Sequence, residues 1–190
     1  MFNTLQNFTL FGTKGSMELQ AINTACVYAF QSLPTQDSLP PDKLNPEDYF
    51  EDEPVLKTQE GLISGARAIL RYFGRMDTSG KLYGKTHFVM GQVDQWLDWN
   101  TNNLKPILKS YVAHYIPEEG RDIPDENLLK FDRDELMIRL NLVERHLLKS
   151  PFFASETLTL ADIDLVTTFS IPFNQIWDAE FRKQIPKLTE

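Results

Sequence analysis

The sequence has one cysteine, Cys26, so it cannot form an internal disulfide. Lack of disulfides is typical of a reducing compartment. No apolar run approaches the length of a membrane-spanning helix, and residues 1–16 lack the pattern of a signal peptide. We therefore expect a soluble cytoplasmic protein. Cys26 itself lies among apolar residues, which favours a buried packing role over a nucleophile.

Positive charge is also scarce. The 190 residues include 19 Lys and Arg against 27 Asp and Glu, which gives a formal net charge of −8. Because such a chain repels phosphate backbones, we expect no direct binding to nucleic acid. The histidines, His87, His114 and His146, are widely spaced and have no partner at metal-ligand spacing, so we expect no metal site.

Apolar residues are plentiful, at 42% of the chain, and can form a substantial core. Residues 8–12 predict a short strand, and residues 14–32 have apolar positions at helical spacing. A strand followed by a helix is typical of an α/β unit. Residues 33–53 then combine four prolines with many acidic residues, and we interpret them as an acidic, mobile loop.

A hairpin and a helix are predicted next. Val55–Thr58 and Leu62–Ile63 are strand candidates, and the intervening Gly61 can supply the positive φ of a turn. Ser64 is positioned to cap a helix that ends at Arg75. Its predicted inner face is Ala68, Ile69, Tyr72 and Phe73.

From residue 83 onward the pattern is helical. Residues 84–113 predict one bent helix or two, because Pro106 should kink or interrupt the helix. Residues 117–127 are predicted to form a polar loop. Further helices are predicted at 129–149, 159–171 and 178–185.

Two motifs in this order resemble the glutathione-transferase superfamily. One is Pro54-Val55-Leu56 before the hairpin together with AILRY at Ala68–Tyr72. In that family a cis proline opens this strand. The other is TLTLADI, in which Thr159 and Asp162 match the family's capping box of Ser or Thr followed three residues later by Asp. The resemblance makes Pro54, Thr159 and Asp162 structural residues.

The fold that this resemblance implies has two parts. We expect an α/β thioredoxin-like subdomain over residues 1–76, in which the second strand and helix are degenerate because residues 33–53 replace much of them. We expect an all-α subdomain over residues 83–190. Together these parts form a glutathione-transferase-like fold.

Three later segments resemble one branch of the superfamily, the N-terminal domain of the gamma subunit of eukaryotic translation elongation factor 1. They are QVDQWLDW at Gln92–Trp99, KPILKSYVAHYIP at Lys105–Pro117 and FRKQIPKLTE at Phe181–Glu190. In that branch a tryptophan follows the last segment. We therefore expect that the chain continues beyond Glu190 or is unusually short.

The resemblance also indicates where glutathione would bind. The superfamily activates its thiol with a Tyr, Ser or Cys just after the first strand, where this chain has Thr13 and Ser16. Either hydroxyl could donate a hydrogen bond to a thiolate, or both could simply cap the following helix.

The γ-glutamyl end of glutathione is held in the superfamily by Glu or Gln followed by Ser. The Ala68-Ile69 register places these roles at Gly65 and Ala66, which have no side chain that could bind a charged group. Ser64 is one position early and is expected to point elsewhere. Glu53 could still offer backbone groups beside Pro54. We expect a degenerate site, no useful glutathione binding, no cofactor and no catalytic residue.

The resemblance implies a scaffold function in the elongation factor 1 complex. The domain would bind the nucleotide-exchange subunit (beta or alpha type) and, through it, elongation factor 1-alpha. The helices at 64–75 and 84–99 form the pair through which the superfamily forms homodimers, and the region near Arg182 is where its translation-associated members pair with others. The alternatives are a scaffold domain of an aminoacyl-tRNA synthetase complex and an active glutathione transferase.

Overall fold

The computed structural model describes residues 5–37, 54–116 and 125–190, and it divides them between a small sheet and a set of helices. After a 3-10 turn at Leu5–Asn7, the first half contains β1 (Thr9–Phe11), α1 (Met17–Phe30), β2 (Thr35–Asp37), β3 (Val55–Lys57), β4 (Leu62–Ser64) and α2 (Ala66–Met76). The second half contains α3 (His87–Trp99), a π-helical turn (Asn100–Leu104), α4 (Lys105–Ala113), α5 (Glu126–Leu147), α6 (Leu160–Gln175), α7 (Ala179–Arg182) and α8 (Pro186–Thr189).

The sheet has the order β2-β1-β3-β4. Strand β1 is parallel to β2 and antiparallel to β3, and β3 is antiparallel to β4. The interpretation of residues 33–53 as a loop is therefore wrong at Thr35–Asp37, which form an edge strand. Pro34 precedes this strand without breaking it because a proline is tolerated at the start of an edge strand. The backbone N–H of Thr35 donates to the Phe8 carbonyl at 3.0 Å. The rest of the predicted loop, residues 38–53, lies outside the described residues.

The predicted hairpin is confirmed, with a turn in which the Thr58 N–H donates to the Gly61 carbonyl at 2.9 Å. The predicted helix cap at Ser64 is wrong. Ser64 is the last residue of β4, where it pairs with Val55. Gly65 is the N-cap of the helix, which begins at Ala66. Gly65 makes the turn with a φ of 95°, which a residue with a side chain adopts only under strain.

The inner face of α2 differs from the predicted one at two positions. Ala68 is exposed, whereas Leu70 is fully buried beside Ile69 and Phe73. Tyr72 is half-buried. The apolar face of α2 is wider than predicted and includes Leu70, because the helix packs on both the sheet and α1.

The predicted break near Pro106 is confirmed: residues 84–113 form two helices joined by the π-helical turn, and Pro106 lies in the first turn of α4. Helix α5 begins three residues earlier than predicted because Asp125 caps it, accepting the Leu128 N–H at 2.8 Å. Of the predicted loop at 117–127, only residues 125–127 are described. The predicted helix at 178–185 is shorter than expected: α7 covers Ala179–Arg182, and a second short helix, α8, begins after the predicted segment at Pro186. The carboxylate of Glu144 accepts the N–H groups at the start of α8.

One apolar core runs through both halves of the chain. Helix α1 packs on α6, and α6 also packs on α3. Cys26 is fully buried in this core, and burial raises the pKa of its thiol to about 12. It is therefore a packing residue, as predicted. Within the described residues, no helix is long and apolar enough to cross a membrane.

The predicted capping box at the start of α6 is present. The buried carboxylate of Asp162 accepts the Thr159 N–H and hydroxyl, both at 2.8 Å, and also the Phe153 N–H at 2.9 Å. It therefore fixes both the helix start and the loop that precedes it. The cis proline implied by the family would lie at the Glu53–Pro54 bond, and Glu53 lies outside the described residues.

The connection between α2 and α3 is held by another carboxylate, that of Asp77. It accepts the Ser79 N–H at 3.0 Å, the Ser79 hydroxyl at 2.5 Å and the Leu82 N–H at 3.0 Å. Burial by itself raises the pKa of Asp77, but these hydrogen bonds outweigh it and hold the pKa below its usual range.

Replacing Asp162 with Ala should lower the free energy of unfolding by about 2–4 kcal/mol, because it removes the cap and leaves buried donors without an acceptor. Urea unfolding followed by circular dichroism measures this difference. The exposed Asp134→Ala provides the matched control and should change stability little. Equal stability of the two variants would contradict the role assigned to Asp162.

Asp77 should make folding sensitive to acid. Because its pKa is lower in the folded than in the unfolded protein, its contribution is complete above the unfolded value of about 3.9 and is lost as the pH falls towards the folded value. We expect Asp77→Asn to be less stable than wild type at neutral pH and to lose less stability on acidification. Melting temperatures measured from pH 7 to pH 3 test this, with Asp134→Asn as the control. Parallel pH profiles for Asp77→Asn and wild type would count against it.

Candidate functional site

A cleft of about 910 Å³ lies where the β4–α2 turn faces the helical half of the chain. Its floor and walls come from the sheet half, from α3 and from the start of α4. The lining residues are Glu18, Pro54, Ile63, Ser64, Gly65, Ala66, Arg67, Ala68, Arg71, Tyr72, Arg75, Asp98, Thr101 and Lys105.

The β4–α2 turn forms one wall of the cleft, at the position where the family register places the γ-glutamyl site. Gly65 and Ala66 both line the cleft, and the Gly65 N–H donates to the Pro54 carbonyl at 3.0 Å. No side chain caps the N-terminus of α2. Ser64 also lines the cleft. Its position follows from the pairing of β4 with β3.

The residues predicted after the first strand are placed differently. Thr13 is exposed, and the Ser16 hydroxyl accepts the Leu19 N–H at 3.2 Å at the start of α1. Neither residue lines the cleft. The hydrogen bond at Ser16 therefore matches the alternative in which its hydroxyl caps the following helix. Glu53 lies outside the described residues.

The charge of the cleft is opposite to that of the chain. Four basic side chains line it, against two acidic ones, Glu18 and Asp98. The sequence reasoning did not identify these cations. Their signal is the i, i+4 spacing of Arg67, Arg71 and Arg75, which places all three on one side of α2. The fourth is Lys105, at the start of α4.

Two of the arginines are paired with carboxylates of α3. Arg71 Nη2 lies 2.8 Å from Asp98 Oδ1, and Arg71 Nε bonds to Asp94. Arg67 Nη1 lies 2.9 Å from the same Asp98 oxygen. Burial alone lowers the pKa of Arg71, but the two carboxylates raise it above its ordinary value. The Arg71 hydrogen bond in turn holds the pKa of Asp98 below its usual range.

Tyr83 extends this network. Its hydroxyl donates to Asp94 at 2.7 Å, and the guanidinium of Arg75 lies 5.4 Å from the centre of its ring. Burial is the largest cause that raises the pKa of Tyr83, followed by its hydrogen bond to Asp94. The network thus holds α2 and α3 together along the side of the cleft.

Lys105 is held from inside the protein. Its Nζ lies 3.1 Å from Asp164, which is almost fully buried in α6, and 3.9 Å from Glu18 of α1. Asp164 also accepts a hydrogen bond of 2.7 Å from Asn100 in the π-helical turn. Lys105 therefore links three helices, and its charge is balanced before any ligand enters the cleft.

Among the described parts of the chain, no three His, Cys, Asp or Glu side chains are grouped so that they could hold a metal ion. His114 pairs with Asp132 at 2.9 Å on the α4–α5 contact, and His146 bonds to the Phe152 carbonyl at 2.9 Å.

Sequence comparison finds two kinds of relative. Elongation factor 1-gamma of Trypanosoma cruzi is 34% identical over 111 residues, which are 58% of this chain and 25% of that protein. Glutathione S-transferase F9 of Arabidopsis thaliana is 32% identical over 117 residues, which are 60% of this chain and 54% of that protein. The chain thus spans about a quarter of one relative and about half of the other. No family model matches the sequence.

Comparison with solved structures gives one fold. Poplar glutathione transferase F1 superposes with a TM-score of 0.83 and 18% identity, covering 97% of this chain and 89% of that one. The theta class glutathione S-transferase of Xanthomonas axonopodis pv. citri gives a TM-score of 0.79 and 16% identity, covering 97% and 88%. The chain therefore has the glutathione-transferase fold, and its resemblance to that superfamily, and within it to elongation factor 1-gamma, is confirmed.

Proposed function

We propose that this chain is a non-catalytic protein-interaction domain of a gamma-type subunit in the cytoplasmic elongation factor 1 complex. Its sequence supports a role of the elongation factor 1-gamma kind, since relatives with that name occur in a trypanosome and in plants. The observation that carries the non-catalytic part is the β4–α2 turn, where Gly65 and Ala66 line the cleft and neither has a polar side chain.

The charges of the cleft support the same conclusion. A ligand such as glutathione would need free cations for its carboxylates, and the cations nearest the turn already have partners. Arg67 and Arg71 share Asp98, and Lys105 is paired with Asp164. Each missing contact to a charged end costs about 1.5–3 kcal/mol, so the loss of two or three would weaken binding by orders of magnitude.

A protein partner needs exposed anchors, and the start of α3 offers one. Phe88 is 74% exposed and borders a shallow groove of about 580 Å³ that also includes Phe152 and Phe153. Buried aromatic side chains often dominate binding energy at interfaces. We propose that the exchange subunit of elongation factor 1 binds here, and that elongation factor 1-alpha joins the assembly through that subunit.

The region near Arg182 is a weaker candidate. The Arg182 guanidinium donates to the Phe173 carbonyl and lies 4.0 Å from the centre of the Phe173 ring. Its bonding capacity is therefore partly used within the chain.

The second candidate function is glutathione transfer. It is favoured by the identity to glutathione S-transferase F9 and by the cleft itself. The two candidates make opposite predictions for glutathione.

Calorimetric titration with glutathione should give no saturable heat at millimolar ligand, and no conjugation of a standard chloronitrobenzene substrate should be detected. An active glutathione S-transferase provides the positive control. The matched variant is Ala66→Ser, which restores one hydroxyl without placing a side chain at the positive φ of Gly65. Micromolar affinity with turnover by the wild-type chain would establish the second candidate instead.

The exchange subunit from the same organism should co-elute with the chain in size-exclusion chromatography, and Phe88→Glu should weaken the complex about tenfold or more through loss of an aromatic anchor. The matched control is Val166→Glu, since Val166 is 63% exposed on another helix. Cross-linking and mass spectrometry would identify the partner in a cytosolic extract. Selective capture of aminoacyl-tRNA synthetases, without binding to the purified exchange subunit, would point to the synthetase-scaffold alternative.

A further inference from the structure

A groove of about 510 Å³ lies beside the two short helices α7 and α8. This α7–α8 groove is lined by Trp177, Asp178, Ala179, Arg182, Lys183, Pro186 and Thr189. These residues differ from those that line the cleft at the β4–α2 turn and from those that line the groove at Phe88. What the α7–α8 groove binds is therefore independent of the function proposed above.

Two side chains of the α7–α8 groove have buried N–H groups that find no acceptor among the described residues. They are Trp177, through Nε1, and Arg182, through Nε. Trp177 is 2% exposed, and its ring stacks on Phe181 with 4.9 Å between the ring centres. Nearly all buried polar groups in proteins have a hydrogen-bond partner. Because burial also keeps water from both N–H groups, each still requires an acceptor.

The positive charge of Arg182 is also unbalanced. Its guanidinium donates to the Phe173 carbonyl and lies 4.0 Å from the centre of the Phe173 ring, and neither of these groups carries a net charge. Within the described ranges Arg182 forms no ion pair, whereas the neighbouring Lys183 is paired with Glu180 at 2.5 Å. An arginine has five N–H donors, so Arg182 keeps the capacity to bind an anion.

The other lining residues indicate which anion fits. Asp178 accepts the Phe181 N–H at 2.8 Å, and its carboxylate adds a negative charge to the groove. This charge opposes a doubly charged ligand such as a phosphate monoester. Ala179, Pro186 and the ring of Trp177 supply apolar surface. A carboxylate with an apolar body meets both conditions, because its charge is single and its two oxygens can accept from guanidinium and indole N–H groups.

We propose that the α7–α8 groove binds a small carboxylic acid as its monoanion. The carboxylate accepts hydrogen bonds from Arg182 and Trp177, and the apolar body lies against Ala179 and Pro186. Because neither N–H group is in contact with solvent, entry of the ligand requires a small shift of the groove rim. Helix α8 is the element that can shift, since it has four residues and two of its backbone N–H groups are held by a single carboxylate, that of Glu144.

Titration of the chain with hexanoate, followed by calorimetry and by tryptophan fluorescence, tests the proposal. We expect saturable binding of one hexanoate per chain with a dissociation constant of about 1 mM or below, which is within reach of a ligand of this size. Hexanol lacks the charge and hexyl phosphate has nearly two, so each should bind about tenfold more weakly or less. No saturation by hexanoate, or a comparator that binds as tightly, would overturn the proposal.

The same chemical group also occurs at the C-terminus of proteins. A short acetylated peptide that ends in a leucine carboxylate, with its amidated form as the control, distinguishes this source. We expect hexanoate to bind more tightly than the peptide. Binding of the free-acid peptide without binding of hexanoate would exclude a small acid as the ligand.

Two substitutions test the assigned contacts. Trp177→Phe keeps an aromatic ring and removes the indole N–H, and Arg182→Lys keeps the charge and removes Nε with the planar guanidinium. Each should weaken the binding of hexanoate about fivefold or more. Lys149→Gln is the matched control, since it removes an exposed positive charge that does not line the groove. It should change the affinity less than about twofold, because exposed charges are screened.

Melting temperatures show that each variant is folded and give a second readout. A ligand that binds only the folded chain raises its melting temperature, so hexanoate should stabilise wild type and Lys149→Gln more than Trp177→Phe or Arg182→Lys. Unchanged hexanoate affinity in both groove variants would overturn the proposal.

Discussion

The position of α6 depends on one buried carboxylate, that of Asp162. It accepts the buried Thr159 N–H at the start of the helix and fixes the preceding loop through the buried Phe153 N–H. The Leu160 N–H next to it donates to the Leu82 carbonyl at 2.9 Å, which ties the link between the two halves to the same point. Because α6 packs on both α1 and α3, this cap sets the separation of the elements that form the cleft. A local hydrogen-bonding motif thereby determines a long-range arrangement.

The cleft is a product of the fold and does not depend on particular ligand-binding side chains. Its location and size follow from the packing of the β4–α2 turn against the helices, which does not require the side chains that bind a substrate. At the turn itself Gly65 and Ala66 have no polar side chain, and Arg67 and Arg71 of α2 hold α3 through Asp94 and Asp98. The same positively charged groups therefore contribute to stability. They would have to break existing ion pairs before they could bind an anionic ligand.

The sequence predicts those features that depend on neighbours along the chain. The hairpin at Gly61, the break near Pro106 and the cap at Thr159 are all correct, because turn residues and capping boxes act within three or four positions. The strand at Thr35–Asp37 was missed, since its formation depends on pairing with β1 rather than on its own composition. Ser64 was misplaced by one position for the same reason.

The candidate site was predictable only in part. The positions of Gly65 and Ala66 follow from the family register, and both residues line the cleft. The pairing of Lys105 with Asp164 could not be predicted, because 59 residues separate the two groups and only the contact between α4 and α6 brings them together. The alignment of Arg67 and Arg71 is visible in the helical spacing, but their acidic partners lie on another helix.

The ion pairs of the cleft also affect the electrostatic potential of the chain beyond its surface. Several of its 19 basic groups are neutralised within or beside the cleft, so their fields contribute little to the potential beyond the surface. With a net charge of −8, the chain should attract positively charged proteins over distances longer than any contact. That attraction raises the rate of encounter and decreases as ionic strength increases. The long-range field of this chain therefore favours encounters with basic proteins before surface complementarity can act.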